Sequence, residues 1–152
     1  MEWTFDPLEI KNAYLNIVRL GAVVHSYTPN FYGVFSSRLQ AGLPTDRLHA
    51  EWFMDSPRVH ATLNGGPVLL PEIKETIIVP GAIGEWKQSD FAQAEAAQTE
   101  VRTRFLDAFS RGLAVVGFSK GTNRDNLKGP GSTTEDQDGA YLLADRQPGD
   151  WP

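Results

Sequence analysis

Gly117-Phe118-Ser119-Lys120-Gly121 spells Gly-x-Ser-x-Gly, the turn that lifts a nucleophilic serine off a strand end in many hydrolases. That chemistry needs a helix directly after the turn, then an acid and a histidine further on. Here a polar, Gly-rich stretch follows, and the histidines, His25, His49 and His60, all lie upstream. The pattern therefore reads as a strand end and a turn. His25 and His49 each fall on an expected strand, where imidazole can ligate a metal or act as a base. Three metal ligands are not evident, so half-buried or surface histidines are the plainer reading. Asn12 and Asn16 stand one helical turn apart on a shared face, either toward a ligand or as a hydrogen-bonded helix surface. Asp46 and Asp55 bracket an expected strand and read as turn and cap residues. The Gly- and Lys-bearing stretch after Ser119 lacks Gly-x-x-x-x-Gly-Lys-Ser/Thr, so it is not a P-loop.

Composition narrows the classes further. The 152 residues fit one domain, or one with a small extension. Hydrophobic content of 41% and charged content of 22% are ordinary for a globular chain. A net charge of −5 argues against nucleic acid or an anionic membrane as partner. The absence of cysteine excludes disulfides and thiolate metal sites. The first residues carry an acid and a strand pattern rather than a signal peptide. No apolar run approaches the ~20 residues of a membrane span. The default is a soluble cytoplasmic protein.

The elements that must position these residues are most legible over 2–27. Trp3, Thr4 and Phe5 are β-formers. Asp6-Pro7-Leu8-Glu9 predicts a helix start, with Asp6 as cap, Pro7 at the first position and Glu9 reaching back to the Asp6 amide. Ile10, Ala13, Tyr14, Ile17 and Leu20 form an apolar stripe at helical spacing. Leu8, Leu15 and Val18 add a second apolar face, which predicts cover on two sides. Gly21 is a left-handed stop, and Ala22, Val23 and Val24 open a strand that runs to Tyr27. Strand, helix and strand in this order build parallel sheets.

Residues 31–35 are aromatic and short, and 36–45 read as a loop. Residues 46–54 predict a strand, with Leu48, Ala50, Trp52 and Met54 on one face and Arg47, His49, Glu51 and Phe53 on the other. Residues 58–63 are ambiguous, and Asn64-Gly65-Gly66-Pro67 is the clearest break. Beyond it come a brief strand at 68–70 and a better one at 76–79. Residues 90–111 predict the longest helix, capped by Asp90 with Gln93 and stopped by Gly112. A buried strand at 113–118 has a hairpin partner at 140–144. Residues 120–139 bury too little to repay ordering, which predicts a mobile loop. VRLGAVVHSY (18–27) and SRGLAVVGFS (110–119) share a helix end, a glycine and an apolar strand. An internal repeat and a chance likeness between βα segments both account for that.

The stretch 2–27 resembles the second half of the GNAT fold, the superfamily of acyl-CoA-dependent N-acyltransferases. In that family the fifth strand leads into a helix reading roughly Asn-x-x-Ala-x-x-Leu-Tyr-x-x-x-Gly-Phe, which Ala13 and Leu20-Gly21-Ala22 fit. The segments WTFDPLE, NAYLN, LGAVV, PNFYG, LPTDRL, AEW and DSPRV are similar to one bacterial group of predicted GNAT acetyltransferases. The likeness spans about 2–59. It implies that 46–54 is the seventh strand, antiparallel to the one opening at Ala22, with His25 and His49 on neighbouring strands. It also implies acetyl-CoA as cofactor, with Asn12 and Asn16 near its pantetheine arm. Two departures matter. The pyrophosphate signature Arg/Gln-x-x-Gly-x-Gly/Ala, expected upstream of Trp3, does not occur. The tyrosine that protonates the leaving thiolate is replaced by Ile17, with Tyr14 one turn earlier as a partial substitute.

The expected fold is therefore α/β (α+β), a mixed sheet made of a GNAT-like β-α-β-β half (1–63) and a β-α-β-β extension (64–152). The resemblance implies acetyl transfer to an amine, impaired by the missing phosphate grip. The alternative is a non-catalytic GNAT-derived binding or oligomerisation module. An interior strand left at an edge, with an over-apolar first helix, predicts a homodimer.

Overall fold

The β-formers at the start make the first strand, β1 (Glu2–Phe5), in a computed structural model that describes residues 1–31, 43–66, 70–120 and 138–146. The rest of 31–45, the strand proposed at 68–70 apart from Leu70, the loop after Lys120 and the tail after Arg146 lie outside the described residues. Leu70 itself is not in a strand.

After β1 the chain departs from expectation at the helix start. Asp6 Oδ1 accepts from the Leu8 amide at 2.9 Å, and the Glu9 amide bonds the Asp6 carbonyl at 3.1 Å. This Asx-type turn occupies 6–9, so α1 begins only at Ile10 (Ile10–Ala13). Asp6 is half-buried, and desolvation raises its pKa above the ordinary carboxylate value. The helix then continues as a π-helix over Tyr14–Arg19. The i→i+5 pattern widens each turn, yet the expected stripe still faces inward. Ala13 and Ile17 are buried, while Leu15 is 48% exposed. The second apolar face is thus only partly covered.

Gly21 (φ +80°) ends the helix in the left-handed region, as foreseen. Then follow β2 (Val23–Thr28), β3 (Arg47–Glu51), α2 (Pro57–Leu63), β4 (Glu75–Val79), α3 (Ile83–Ser89), α4 (Phe91–Ser110), β5 (Leu113–Lys120) and β6 (Gly139–Asp145). Pro57 sits at the start of α2, and Ser56 caps it by accepting from the Val59 amide at 3.2 Å. Asp90 caps α4 through the Gln93 amide at 3.3 Å. The sequence did not anticipate α3. β3 stops at Glu51, and Met54, expected on the buried face, is 59% exposed.

The six strands form one sheet in the order β1-β3-β2-β5-β6-β4. Every neighbouring pair is antiparallel, which corrects the expected mixed sheet. β1 and β2 do run parallel, as a strand-helix-strand unit requires. They never touch, because β3 inserts between them and pairs with both. β6 does the same between β4 and β5. β3 is antiparallel to β2, and β6 pairs with β5, as the sequence suggested.

The sheet is consequently two β-α-β-β halves joined through β2 and β5 at a single pair, Val24↔Val115. Equivalent residues that pair across an antiparallel ladder lie on its two-fold axis. The flanking features match across it. Gly21 (φ +80°) answers Gly112 (φ +83°). An irregularity between Val24 and Tyr27 in β2 answers one between Val115 and Gly117 in β5. The pairing of Val24 with Val115 matches Gly21 to Gly112, one residue out of step with the spelling likeness of 18–27 and 110–119, which would lay AVV on AVV. One apolar cluster runs through both halves, from Phe5, Ala13, Ile17 and Val24 to Phe105, Val115, Tyr141 and Leu143.

Candidate functional site

The single ladder pair at the join leaves room for a cleft. Past Val115 the irregular stretch Val116, Gly117 and Phe118 leans toward the π-helical turn. A cavity of about 320 Å³ opens there, walled by Ile17 and Val18, by Arg58 and Thr62 of α2, by Gly65 and Gly66, and by Leu70. Bulges and π-helical turns recur beside functional sites because each re-aims side chains that a regular element would lock. Arg58 is 9% exposed, and its Nη1 donates to the Val116 carbonyl at 2.7 Å. That bond holds the bulge open toward α2. Gly117 leaves space at the wall: a Cβ there would stand 3.2 Å from Leu142 Cδ1 and 3.3 Å from Leu70 Cδ1, so those side-chain ends would have to give by a few tenths of an ångström. The lining is mostly apolar, with one guanidinium and a glycine pair at its rim. Its volume and mostly apolar lining are within the range of small-molecule pockets.

The structure does not bring Asn12 and Asn16 together. Asn12 is exposed, while Asn16 is 6% exposed and its Oδ1 accepts from Trp3 Nε1 at 3.1 Å. Asn16 instead ties the helix to β1. Tyr14 is half-buried, with Lys120 Nζ 4.2 Å from its ring centroid, a cation–π contact. Ile17 is core, 3% exposed. Ser119 of the Gly-x-Ser-x-Gly pattern lies inside β5, paired with Ala140, so its strand-end reading stands.

His25 and His49 do lie on neighbouring strands, but each has its own carboxylate. His25 Nδ1 is 2.8 Å from Glu51 Oε1. His49 Nδ1 is 3.4 Å from Glu2 Oε1, and His49 Nε2 is 2.7 Å from Thr28 Oγ1. Among the described residues no group of His, Cys, Asp and Glu could hold a metal ion.

Asp46 is more than a turn residue. It is 2% exposed and receives the Tyr27 hydroxyl, the Asn30 amide at 2.9 Å, and Arg102 Nε at 2.8 Å and Nη2 at 3.1 Å. Burial first, then the bond to Asp46, raises the Tyr27 pKa far above the ordinary tyrosine value. Tyr27 therefore stays a donor. Full burial likewise raises Tyr141, whose hydroxyl donates to the Pro7 carbonyl at 2.6 Å. Both groups are structural. Sequence spacing could not reveal the Asp46 network, because Arg102 is 56 positions away.

Compared with known proteins, the chain matches no family model, no curated protein and no solved structure.

Proposed function

We propose that this chain is a GNAT-related, acyl-CoA-dependent N-acyltransferase component. The cleft beside the π-helical turn takes the acyl-pantetheine end of acetyl-CoA, and the acetyl group passes to an amine. One observation carries this reading: the helix that resembles the family's supplies Ile17 and Val18 as a wall of the apolar cleft. Acetyl transfer asks mainly for positioning and for backbone donors near the thioester oxygen. Tyr14 is the proposed acid for the leaving thiolate. Asn12 borders the arm, and Asn16 acts by fixing the helix to β1.

The sequence holds no Arg/Gln-x-x-Gly-x-Gly/Ala segment to grip a pyrophosphate. Titration calorimetry with acetyl-CoA should therefore give a Kd weaker than micromolar. Millimolar S-acetylpantetheine should still shift the methyl resonances of Ile17 and Val18, and Val18→Trp should abolish the shift. Unmoved methyls at saturating probe would sink the cleft assignment. A micromolar Kd for acetyl-CoA would show that other residues supply the phosphate site.

A second reading, an oligomerisation module, is favoured by the surface beside β1. Met1, Trp52, Phe53, Met54 and Asp55 line a cavity of about 410 Å³, and Met1 and Met54 are 78% and 59% exposed. Arg47 Nη2 donates to the Thr4 carbonyl at 3.0 Å, which occupies an acceptor of β1. A homodimer would thus form through the apolar rim more than through strand pairing. Sedimentation at micromolar concentration should show a dimer that Met54→Asp turns into a monomer. A wild-type monomer would dismiss this reading. Among the described residues no helix is long and apolar enough to cross a membrane. We place the chain in the cytoplasm, with an amine or other small molecule as substrate and no nucleic-acid partner.

A further inference from the structure

β1, β3 and β2 lie side by side in that order. Their register pairs Glu2 with Glu51, Thr4 with His49, and Thr28 with Arg47. Directly opposed residues share a face, as do residues two apart on a strand. Glu2, Thr4, Arg47, His49, Glu51 and Thr28 therefore form one polar face, with His49 on the central strand. Their contacts sort into separate sets. Arg47 Nε donates to Thr4 Oγ1 at 3.1 Å. Glu51 is taken by His25 at 2.8 Å. The remaining set is a relay: Thr28 Oγ1 to His49 Nε2 at 2.7 Å, and His49 Nδ1 to Glu2 Oε1 at 3.4 Å.

We propose that Thr28 is an acyl-accepting nucleophile, with His49 as its base and Glu2 orienting the imidazole. The activity is independent of the cleft and of acetyl-CoA. The geometry is the general one for an activated hydroxyl: nucleophile and base within hydrogen-bond reach, the base's other nitrogen held by a third group. A proton held on Nδ1, the nitrogen facing Glu2, leaves Nε2 as the acceptor of the Thr28 hydroxyl proton. At 3.4 Å the Glu2 carboxylate stands at ion-pair distance from Nδ1 and must close by a few tenths of an ångström to hold the ring by a hydrogen bond. The His49 side chain is 19% exposed and Glu2 61% exposed, so substrate can approach. Phe31 packs edge-on against His49 with ring centroids 6.0 Å apart, giving an apolar wall beside the base.

The substrate class is a small activated carboxylic ester. Thr28 Oγ attacks the carbonyl carbon while its proton passes to His49 Nε2. The new C–O bond forms, and the aryloxide departs with the electron pair of the old one. Imidazolium returns its proton to the aryloxide or to solvent. In the second half His49 takes a proton from water, the hydroxide adds to the acyl carbon, and Thr28 Oγ leaves and regains the proton. A carboxylic acid is released and the enzyme is restored. An aryloxide needs little help to leave, which suits a site whose assets are a nucleophile and a base.

The test is incubation of the full chain with p-nitrophenyl acetate, read by intact mass and tandem mass spectrometry. The threonine alkoxide leaves far less readily than an aryloxide, so hydrolysis is the slow half, and in acid-quenched samples the expected result is one added acetyl group located on Thr28. Thr28→Ser should still be acylated there and Thr28→Val should not. His49→Gln should slow acylation by about 100-fold, the scale of a lost general base, with Glu2→Gln several-fold slower than wild type. Thermal melts of each variant establish that the fold is kept. An acetyl group found only on lysines, or a His49→Gln rate equal to wild type, would overturn the proposal. The wild-type mass alone decides it should a variant fail to fold.

Discussion

Asp46→Ala is expected to destabilise the protein by about 3 kcal/mol, the low end for breaking a buried ion pair. The Asp46 side chain is fully buried, whereas Arg102 is 27% exposed and can turn partly to water. Tyr27 has no such escape: it is 8% exposed, and its hydroxyl would lose its acceptor. The same carboxylate also fixes the turn at Asn30, a left-handed residue (φ +48°) whose amide it holds. Asp46→Asn, which keeps the shape and loses the charge, should cost less. Urea unfolding would show a lower midpoint with unchanged m. A loss under about 1 kcal/mol would mean that Tyr27 and Arg102 find other partners on relaxation.

Phe105→Ala is expected to cost about 3–5 kcal/mol and to loosen the join between the halves. The β2–β5 ladder is a single pair, so α4 must carry much of the cohesion. Phe105 is fully buried and stacks on Tyr27 of the first half at 5.5 Å between ring centroids. Its other side meets Tyr141 of the second half edge-on at 4.9 Å. Removing the ring leaves a cavity where the two halves pack against each other. Hydrogen exchange should quicken at the Val24 and Val115 amides more than within β6, which is paired on both sides. Equal protection at both places would show that the halves are held together elsewhere.

Much of the local structure was legible because its causes are local. Alternation in Leu48 and Ala50 against Arg47, His49 and Glu51 placed β3, and both inward residues are fully buried. Helical spacing puts Phe91, Ala94, Ala97, Val101, Phe105 and Ala108 along one face of α4; Ala94, Val101, Phe105 and Ala108 are buried and Ala97 is half-buried, and the Asp90 cap and the stops at Gly21 and Gly112 stand where expected. Phe91 was assigned to the same stripe but is 36% exposed at the helix start, where the first turn has less to pack against.

The candidate sites were much less legible. Asn12 and Asn16 were read as one pair at helical spacing, but Asn12 is exposed while Asn16 is buried against Trp3. His25 and His49 were read as half-buried or surface histidines, and they are. What spacing did not reveal is the glutamate beside each, and the threonine beside His49, which come from other strands. Neither the cleft nor the Asp46 network has a sequence spacing, because each gathers residues from elements far apart in the chain.

By itself the sequence determined where most strands and the longest helix lie, which of their faces are apolar and where the chain turns at Gly21 and Gly112, since propensity, periodicity and left-handed glycines act within a few residues; the short helices at Pro57–Leu63 and Ile83–Ser89 were not legible. The tertiary structure alone decided that β3 enters between β1 and β2, that β6 enters between β4 and β5, and that the halves meet at Val24 and Val115. Backbone donors and acceptors are alike at every residue, so the choice of strand partner is settled only when the whole apolar cluster is buried at once.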